Sequence, residues 1–416
     1  MTALRYVRGA LQMEQADLAA VAAEFGTPCY VYSRAVIEAA YNAYDAAFGQ
    51  RPHRICYAVK ANSNLAVLNL LARLGAGFDV VSGGELARVL RAGGDAGRVV
   101  FSGVGKCADE LRAALAAGIG CFNVESAAEL ERLNRVAMEM GLKAPLALRV
   151  NPDVDARTHP YISTGLRENK FGIPAAEAPA LYRHAAALPG VQVRGIACHI
   201  GSQLTDLAPL AEAAGRVAAL RQALLDEGIG IEHVDLGGGL GIAYENEAVP
   251  SHADYVAAIS APFAGSGVSI SIEPGRSIVG PAGVLLTRVE YLKPGAERNF
   301  AIVDAAMNDL LRPALYDAHH AVLPLRDSGS REPMSWELVG PVCESGDFLA
   351  RERSLALAEG DLLALRDAGA YGFVMSSNYN SRPRPAEVLV DGAQAHLIRA
   401  RETQDDLWRG EVMPAG

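Results

Sequence analysis

At 416 residues, half of them hydrophobic, and with a mean hydropathy of +0.12, the chain is long enough for a large core and two domains. A net charge of −10 and a pI near 5.5 argue against nucleic acid or an anionic membrane as partner. No stretch approaches the roughly 20 apolar residues a bilayer span needs. Residues 1–15 lack the basic start and apolar run of a signal peptide, so a cytoplasmic protein is expected.

The chain opens with a short β-like piece, then an alanine-rich helix from about Glu14 to Phe25, closed by Gly26 and Pro28. Cys29 to Tyr32 reads as a strand, and Ser33 is placed to cap a helix running to Phe48. From Ile55 a rhythm sets in. Apolar strand-like runs lie at Ile55–Val59, Phe78–Ser82, Val99–Ser102, Cys121–Val124, Leu146–Val150, Gly195–His199, Val234–Leu236 and Val268–Ile272. Helical spacing fills most of the gaps, as in Ser63–Leu74, Glu85–Ala92, Ala108–Ala117, Ala127–Met140 and Ala208–Glu227. Eight such alternations predict a (β/α)8 TIM-type barrel. A doubly wound sheet is the competing architecture, but its glycine-rich turn follows the first strand, whereas here it follows the seventh. After Ile278 short alternating segments split by Gly, Pro and Asp predict an antiparallel β-domain, with 326–333 as an exposed loop. The expected division is a barrel over 30–275 and a β-domain built from 1–29 with 276–416.

Polar residues gather where the barrel strands end, the face on which such barrels place their chemistry. Tyr57-Ala58-Val59-Lys60-Ala61-Asn62 puts one lysine at the end of an apolar run, and only five lysines exist in the chain. A lysine there must be paired, desolvated or covalently used. A Schiff base with pyridoxal phosphate (PLP) would use it; a strand-end lysine snorkelling to solvent is the bland reading. Gly237-Gly238-Gly239-Leu240-Gly241 follows the seventh strand, a frequent phosphate site in barrels, with a plain tight turn as the alternative. Gly103-Val104-Gly105-Lys106-Cys107 is not a P-loop, since position 100 is Val and no Ser or Thr follows Lys106. Glu273-Pro274-Gly275-Arg276 offers a carboxylate for a pyridine nitrogen and a planar fork for a carboxylate, or else an internal ion pair. His199, followed by Gly201-Ser202, could lie flat on a cofactor or be a satisfied core ring. The six cysteines (Cys29, Cys56, Cys107, Cys121, Cys198, Cys343) form no CxxC pair, and no His/Cys spacing suggests a metal. Cys343-Glu344 sets a thiol beside a carboxylate in the β-domain, where a bystander thiol is an equal reading.

Taken in order, these motifs resemble those of the diaminopimelate decarboxylases, fold-type-III PLP enzymes of lysine biosynthesis. Also matching are Asn151-Pro152, the run from Thr158 to Gly165, Lys170-Phe171-Gly172, His199-Ile200-Gly201-Ser202-Gln203, Cys343-Glu344-Ser345-Gly346-Asp347 and Gly369-Ala370-Tyr371. The resemblance covers nearly the whole chain and implies an alanine racemase/ornithine decarboxylase-like fold. It implies that Lys60 carries PLP, that His199 stacks on its ring and that Glu273 holds the ring nitrogen. Ser202, Gly237, Gly238, Gly239, the turn through Gly275 and Arg276, and Tyr371 would hold the phosphate. Arg276, Arg312, Tyr316, Glu344 and Tyr371 would bind the substrate, with Cys343 as the proton donor to the α-carbon and Lys60 as its alternative. It also implies a homodimer in which Cys343 and Glu344 reach the partner's cofactor.

The implied reaction is decarboxylation of meso-2,6-diaminopimelate to L-lysine and CO2. A related decarboxylase of ornithine, lysine or arginine is the first alternative, opposed by the pairing of Arg276 with Arg312, which suits a second carboxylate. An alanine-racemase-like enzyme would need a tyrosine base where Cys343 precedes Glu344. A non-catalytic PLP-binding protein would not require the β-domain.

Overall fold

The computed structural model describes residues 4–155, 170–327 and 329–414; the run from Thr158 to Gly165 lies outside them. It divides into two compact units, one of residues 38–243 and 247–277, the other of 1–37, 244–246 and 278–416.

The first unit is the barrel. Its strands are β1 (His53–Ala58), β2 (Gly77–Val80), β3 (Val99–Phe101), β4 (Cys121–Val124), β5 (Ala144–Asn151), β6 (Val191–Ala197), β7 (His233–Asp235) and β8 (Ser269–Ile272). Each pairs in parallel with the next; β8 pairs with β1, so the sheet closes. All eight expected strands are present. The helices between them start where short polar side chains satisfy the first free amides: Asn64 accepts from Ala66, Ser82 from Glu85 and Ser126 from Glu129.

A strand's side chains alternate in and out, so one step of two residues sets the contents of the barrel. Cys56, Val100, Cys121, Ala147 and Ala197 form one buried cluster of small side chains. Two residues further along their strands stand Ala58, Ser102, Asn123, Arg149 and His199. A small apolar layer thus lies directly beneath a polar one.

The second unit holds a three-stranded antiparallel sheet (Leu4–Val7, Ala10–Met13, Ala16–Asp17) and a larger mixed sheet. The strand Gly283–Lys293 is the hub of the larger sheet, pairing antiparallel with Phe300–Val303, Leu362–Leu365 and Cys29–Ser33. Two expectations are corrected here. The β-domain is mixed, because Cys29–Ser33 runs parallel to Ala386–Asp391 and Phe300–Val303 parallel to Met334–Val339. The first helix begins at Leu18, not Glu14: Asp17 caps it, accepting from Ala19, while Ala16–Asp17 pairs as a strand edge. The proposed boundary at residue 30 falls inside the strand Cys29–Ser33, whose partners all belong to the second unit. No described helix is long and apolar enough to cross a membrane.

Gly77 marks how closely the small layer is packed. A Cβ there would lie 2.5 Å from the Arg98 carbonyl and 2.9 Å from Cys56 Sγ. Gly77→Ala is expected to destabilise the fold by about 1–3 kcal/mol, read as a lower denaturation midpoint with an unchanged m-value.

Candidate active site

Strand β1 ends at Ala58, and Lys60 sits in the 3-10 turn Val59–Ala61 that follows. The turn is held locally. Tyr57 donates its hydroxyl to the Asn62 carbonyl at 2.9 Å, and Ala58 N–H donates to the Pro274 carbonyl at 3.0 Å. That second bond ties the lysine turn to Glu273-Pro274-Gly275-Arg276. Gly275 is needed there, since a Cβ on it would come within 2.9 Å of the Ala61 Cβ.

Lys60 Nζ donates to Asp79 Oδ2 at 2.6 Å; Asp79 is fully buried, and the lysine side chain keeps 40% of its surface. Lys60 lines a cavity of about 400 Å³ with Ser102, Asn123, Arg149, His199, Asp235 and Glu273, within the usual size range of ligand pockets. Each comes from the end of a different barrel strand.

The charges in this ring are unequal. Burial pushes the Glu273 carboxyl well above its ordinary range, and the negative charges of Asp235 and Asp79 push it further. Burial also raises Asp235, but Asp235 accepts from Gly237 N–H at 3.0 Å and from Asn123 Nδ2 at 3.4 Å. Those donors favour the charge on Asp235, so the proton of the pair resides on Glu273. Glu273 Oε1 stands 3.4 Å from both Ser102 Oγ and Asn123 Nδ2.

His199 accepts from Gly238 N–H through Nδ1 at 3.3 Å, which leaves its proton on Nε2. Burial, then Arg149 and Lys60, hold its pKa well below the ordinary value. Arg149 is fixed by Glu125 at 2.9 Å and lies over the Phe171 ring at 4.9 Å.

The glycine run is a cradle in the steric sense. Cβ atoms at Gly237, Gly238 and Gly239 would come within 2.6 Å of His199 Nδ1, 2.3 Å of the Glu273 carbonyl and 2.7 Å of the Gly201 carbonyl. The amides of Gly237 and Gly238 are already given to Asp235 and His199, so these two glycines shape the loop. Arg276 is buried and donates to Ser202 Oγ at 3.1 Å. The structure therefore brings Lys60, His199 and Glu273 onto one cavity and joins Arg276 to Ser202.

Lys106, the other lysine near a glycine loop, is closed off. It is buried and donates to the Gly103 and Asn123 carbonyls at 2.7 and 2.8 Å and to Glu129 Oε1 at 2.7 Å. Asp79, Asn123, Arg149 and Asp235 were not singled out in the sequence. The signal available for Asp79, Asn123 and Arg149 was their place two residues beyond the small buried residues Gly77, Cys121 and Ala147; Asp235 follows the half-buried His233 and carried no such signal.

The remaining candidates lie in the second unit. Arg312 is buried, bonded to His320 Nε2 at 3.0 Å and set 4.5 Å over the Tyr244 ring; Tyr316 ends the same short helix, Arg312–Tyr316. Cys343 is exposed, and its amide donates to Asn380 Oδ1 at 2.7 Å, while Glu344 accepts from the Tyr379 hydroxyl at 3.5 Å. Asp347 secures this loop from beneath, accepting from Met307 and Val342 amides at 2.6 and 2.8 Å. Tyr371 adopts a left-handed backbone (φ 55°), unusual for a bulky residue and of a kind that clusters at functional sites. Among the described residues no group of His, Cys, Asp and Glu is arranged to hold a metal ion.

The donor set suits PLP. An accessible amine and a buried protonated carboxyl line a cavity where Asn123 Oδ1 is buried without a hydrogen-bond partner among the described residues. The family described as pyridoxal-dependent decarboxylase, pyridoxal binding domain, matches residues 34–280. The diaminopimelate decarboxylase of Pseudomonas aeruginosa is 61% identical over 99% of both chains. The crystal structure of the Helicobacter pylori diaminopimelate decarboxylase complexed with L-lysine superposes with a TM-score of 0.91 at 44% identity, covering 94% of this chain and 98% of that one. The M. jannaschii diaminopimelate decarboxylase, also with L-lysine, gives a TM-score of 0.94 at 40% identity over 99% and 98%.

His199 should stay neutral between about pH 5 and 8, the range in which an ordinary imidazole titrates. An NMR titration of the histidine rings that finds His199 gaining a proton in that window would refute the burial argument.

Proposed function

The chain belongs to the pyridoxal-dependent decarboxylases, among the diaminopimelate decarboxylases, and on that premise we propose that it converts meso-2,6-diaminopimelate to L-lysine and CO2. This would be the last step of lysine biosynthesis, carried out in the cytoplasm by a homodimer whose chains share their sites. The observation that carries the reading is one cavity lined by the Lys60 amine, the His199 ring and the buried Glu273 carboxyl.

When bound, PLP supplies an aldehyde that bonds an amine and a cationic ring that accepts the electron pair released with CO2. The chain's own groups do the rest. Lys60 would offer the amine that PLP bonds, and Asp79 orients it at 2.6 Å. Glu273 holds a proton where the ring nitrogen would sit, and Asp235 and Asn123 fix that carboxyl in place. His199, neutral and anchored through Nδ1, offers a flat face. Ser202, Gly239, Gly275, Arg276 and Tyr371 would hold the phosphate, with Gly237 and Gly238 shaping the loop. Arg276, Arg312, Tyr316, Glu344 and Tyr371 would bind the substrate's charged ends. A site with buried arginines rejects substrates that leave them unpaired. Cys343 would return a proton to the α-carbon, with Lys60 as the alternative donor.

Borohydride reduction of the PLP-loaded protein followed by peptide mass spectrometry should place a pyridoxyl adduct on Lys60. An adduct on Lys106, or none, overturns the site assignment. Cys343→Ala should lower kcat by about 10²–10⁴-fold, the usual contribution of a positioned acid, with the adduct on Lys60 still forming. Turnover of lysine or ornithine at the rate of diaminopimelate would displace the substrate assignment.

A further inference from the structure

We propose that His320 is a positioning residue for the substrate's carboxylate, acting by holding the Arg312 guanidinium in one orientation. The inference rests on the reading of Arg312 as a carboxylate anchor and deepens it. His320 is completely buried, and both its ring nitrogens are engaged. Nδ1 stands 2.7 Å from the Arg366 carbonyl, which can only accept, so Nδ1 carries the proton. Nε2 therefore presents a lone pair, and Arg312 donates to it at 3.0 Å. The tautomer is set by the backbone on one side and read by the arginine on the other.

The neighbouring histidine completes the arrangement. His319 Nδ1 donates to the Tyr244 carbonyl at 3.1 Å, and the Tyr244 ring meets His320 edge-on at 5.5 Å and lies 4.5 Å beneath Arg312. Arg312 is thus held by a ring-nitrogen acceptor and by an aromatic face. A guanidinium has a planar fork, and two carboxylate oxygens match it only when its plane is set. Holding that plane before the substrate arrives removes the cost of ordering a long side chain on binding. A carboxylate in place of His320 would pair with the arginine too strongly and compete with the substrate. A neutral acceptor orients the arginine without adding a negative charge that would compete with the ligand.

The test uses the PLP-loaded enzyme and two substitutions that divide the ring's functions. His320→Gln keeps an acceptor near the Nε2 position, and His320→Asn keeps only a donor near Nδ1. His320→Asn is expected to raise KM for diaminopimelate by roughly tenfold or more, the scale of a lost hydrogen bond to a charged group, with kcat changed less than the KM. His320→Gln should recover most of that loss. Inhibition by L-lysine should weaken in parallel with KM, while inhibition by 1,5-diaminopentane, which has no carboxylate, should not. A KM unaltered in His320→Asn beside a KM raised in Arg312→Met overturns this inference alone. An Arg312→Met enzyme with unaltered KM removes the anchor reading and this inference with it. Equal loss in both His320 variants, extending to the diamine or to a lower melting temperature, assigns the ring a merely structural role and also overturns it.

Discussion

The constraint on which the barrel's chemistry depends is the two-residue period of a strand in a closed parallel sheet. Because β1 to β8 run in one direction and close on themselves, their C-terminal ends form a single ring. The inward positions stack in layers, so the residue two steps beyond a buried small one sits in the next layer up. Cys56, Val100, Cys121, Ala147 and Ala197 fill the lower layer with little volume. The layer above can then be wide enough for a cavity while its walls remain a packed core. Bulk in the lower layer would raise the floor; a register slip of one residue would turn the polar set outward.

That geometry creates an electrostatic problem and solves it locally. Asp79 and Asp235 are buried, and Glu273 stands against them, so three carboxyls share a space that disfavours charge. Lys60 meets Asp79, backbone and side-chain amides meet Asp235, and the proton stays on Glu273. Arg149, the second cation on the cavity wall, is matched to Glu125, whose carboxylate also accepts from the Gly103 and Gly172 amides. The result is a site whose opposite charges are largely matched, with the Lys60 amine and the protonated Glu273 carboxyl on the wall of one cavity.

The eight strands and most helices were legible in the sequence because apolar runs and helical spacing alternate with few interruptions. The residues that end strands were legible for the same reason: Lys60, His199 and Glu273 each follow directly on an apolar run. Asp79, Asn123 and Asp235 were not, because each lies inside its run and reads as an interruption of a core strand until closure of the sheet gives it an inward direction. The β-domain was harder. Its parallel pairings join Cys29–Ser33 to Ala386–Asp391, more than 350 residues away in sequence, and no local pattern encodes such a partner. The strand Phe348–Leu355 carries no clean alternation in the sequence, because Arg351, Glu352 and Arg353 interrupt it. His320 escaped notice for a related reason: a histidine in Asp317-Ala318-His319-His320 carries no signal until its two nitrogens are seen to be spoken for.

Lys60 and Lys106 show why residue type alone could not separate the functional amine from the structural one. Both follow apolar strands of the same barrel, and both stand near a carboxylate at a similar distance. Lys106 spends its three donors on two carbonyls and Glu129, and its side chain is 1% exposed. An amine in that state has no lone pair to offer and no room for an approaching carbonyl carbon; its role is to pin the 103–106 loop. Lys60 stands in a short turn on the cavity wall with 40% of its side chain accessible, paired to a single buried carboxylate. A covalent role needs an amine that is held in direction and open to an approaching carbon. Those conditions are met by a lysine beside one buried acid at the open end of a barrel, and denied to one enclosed within it.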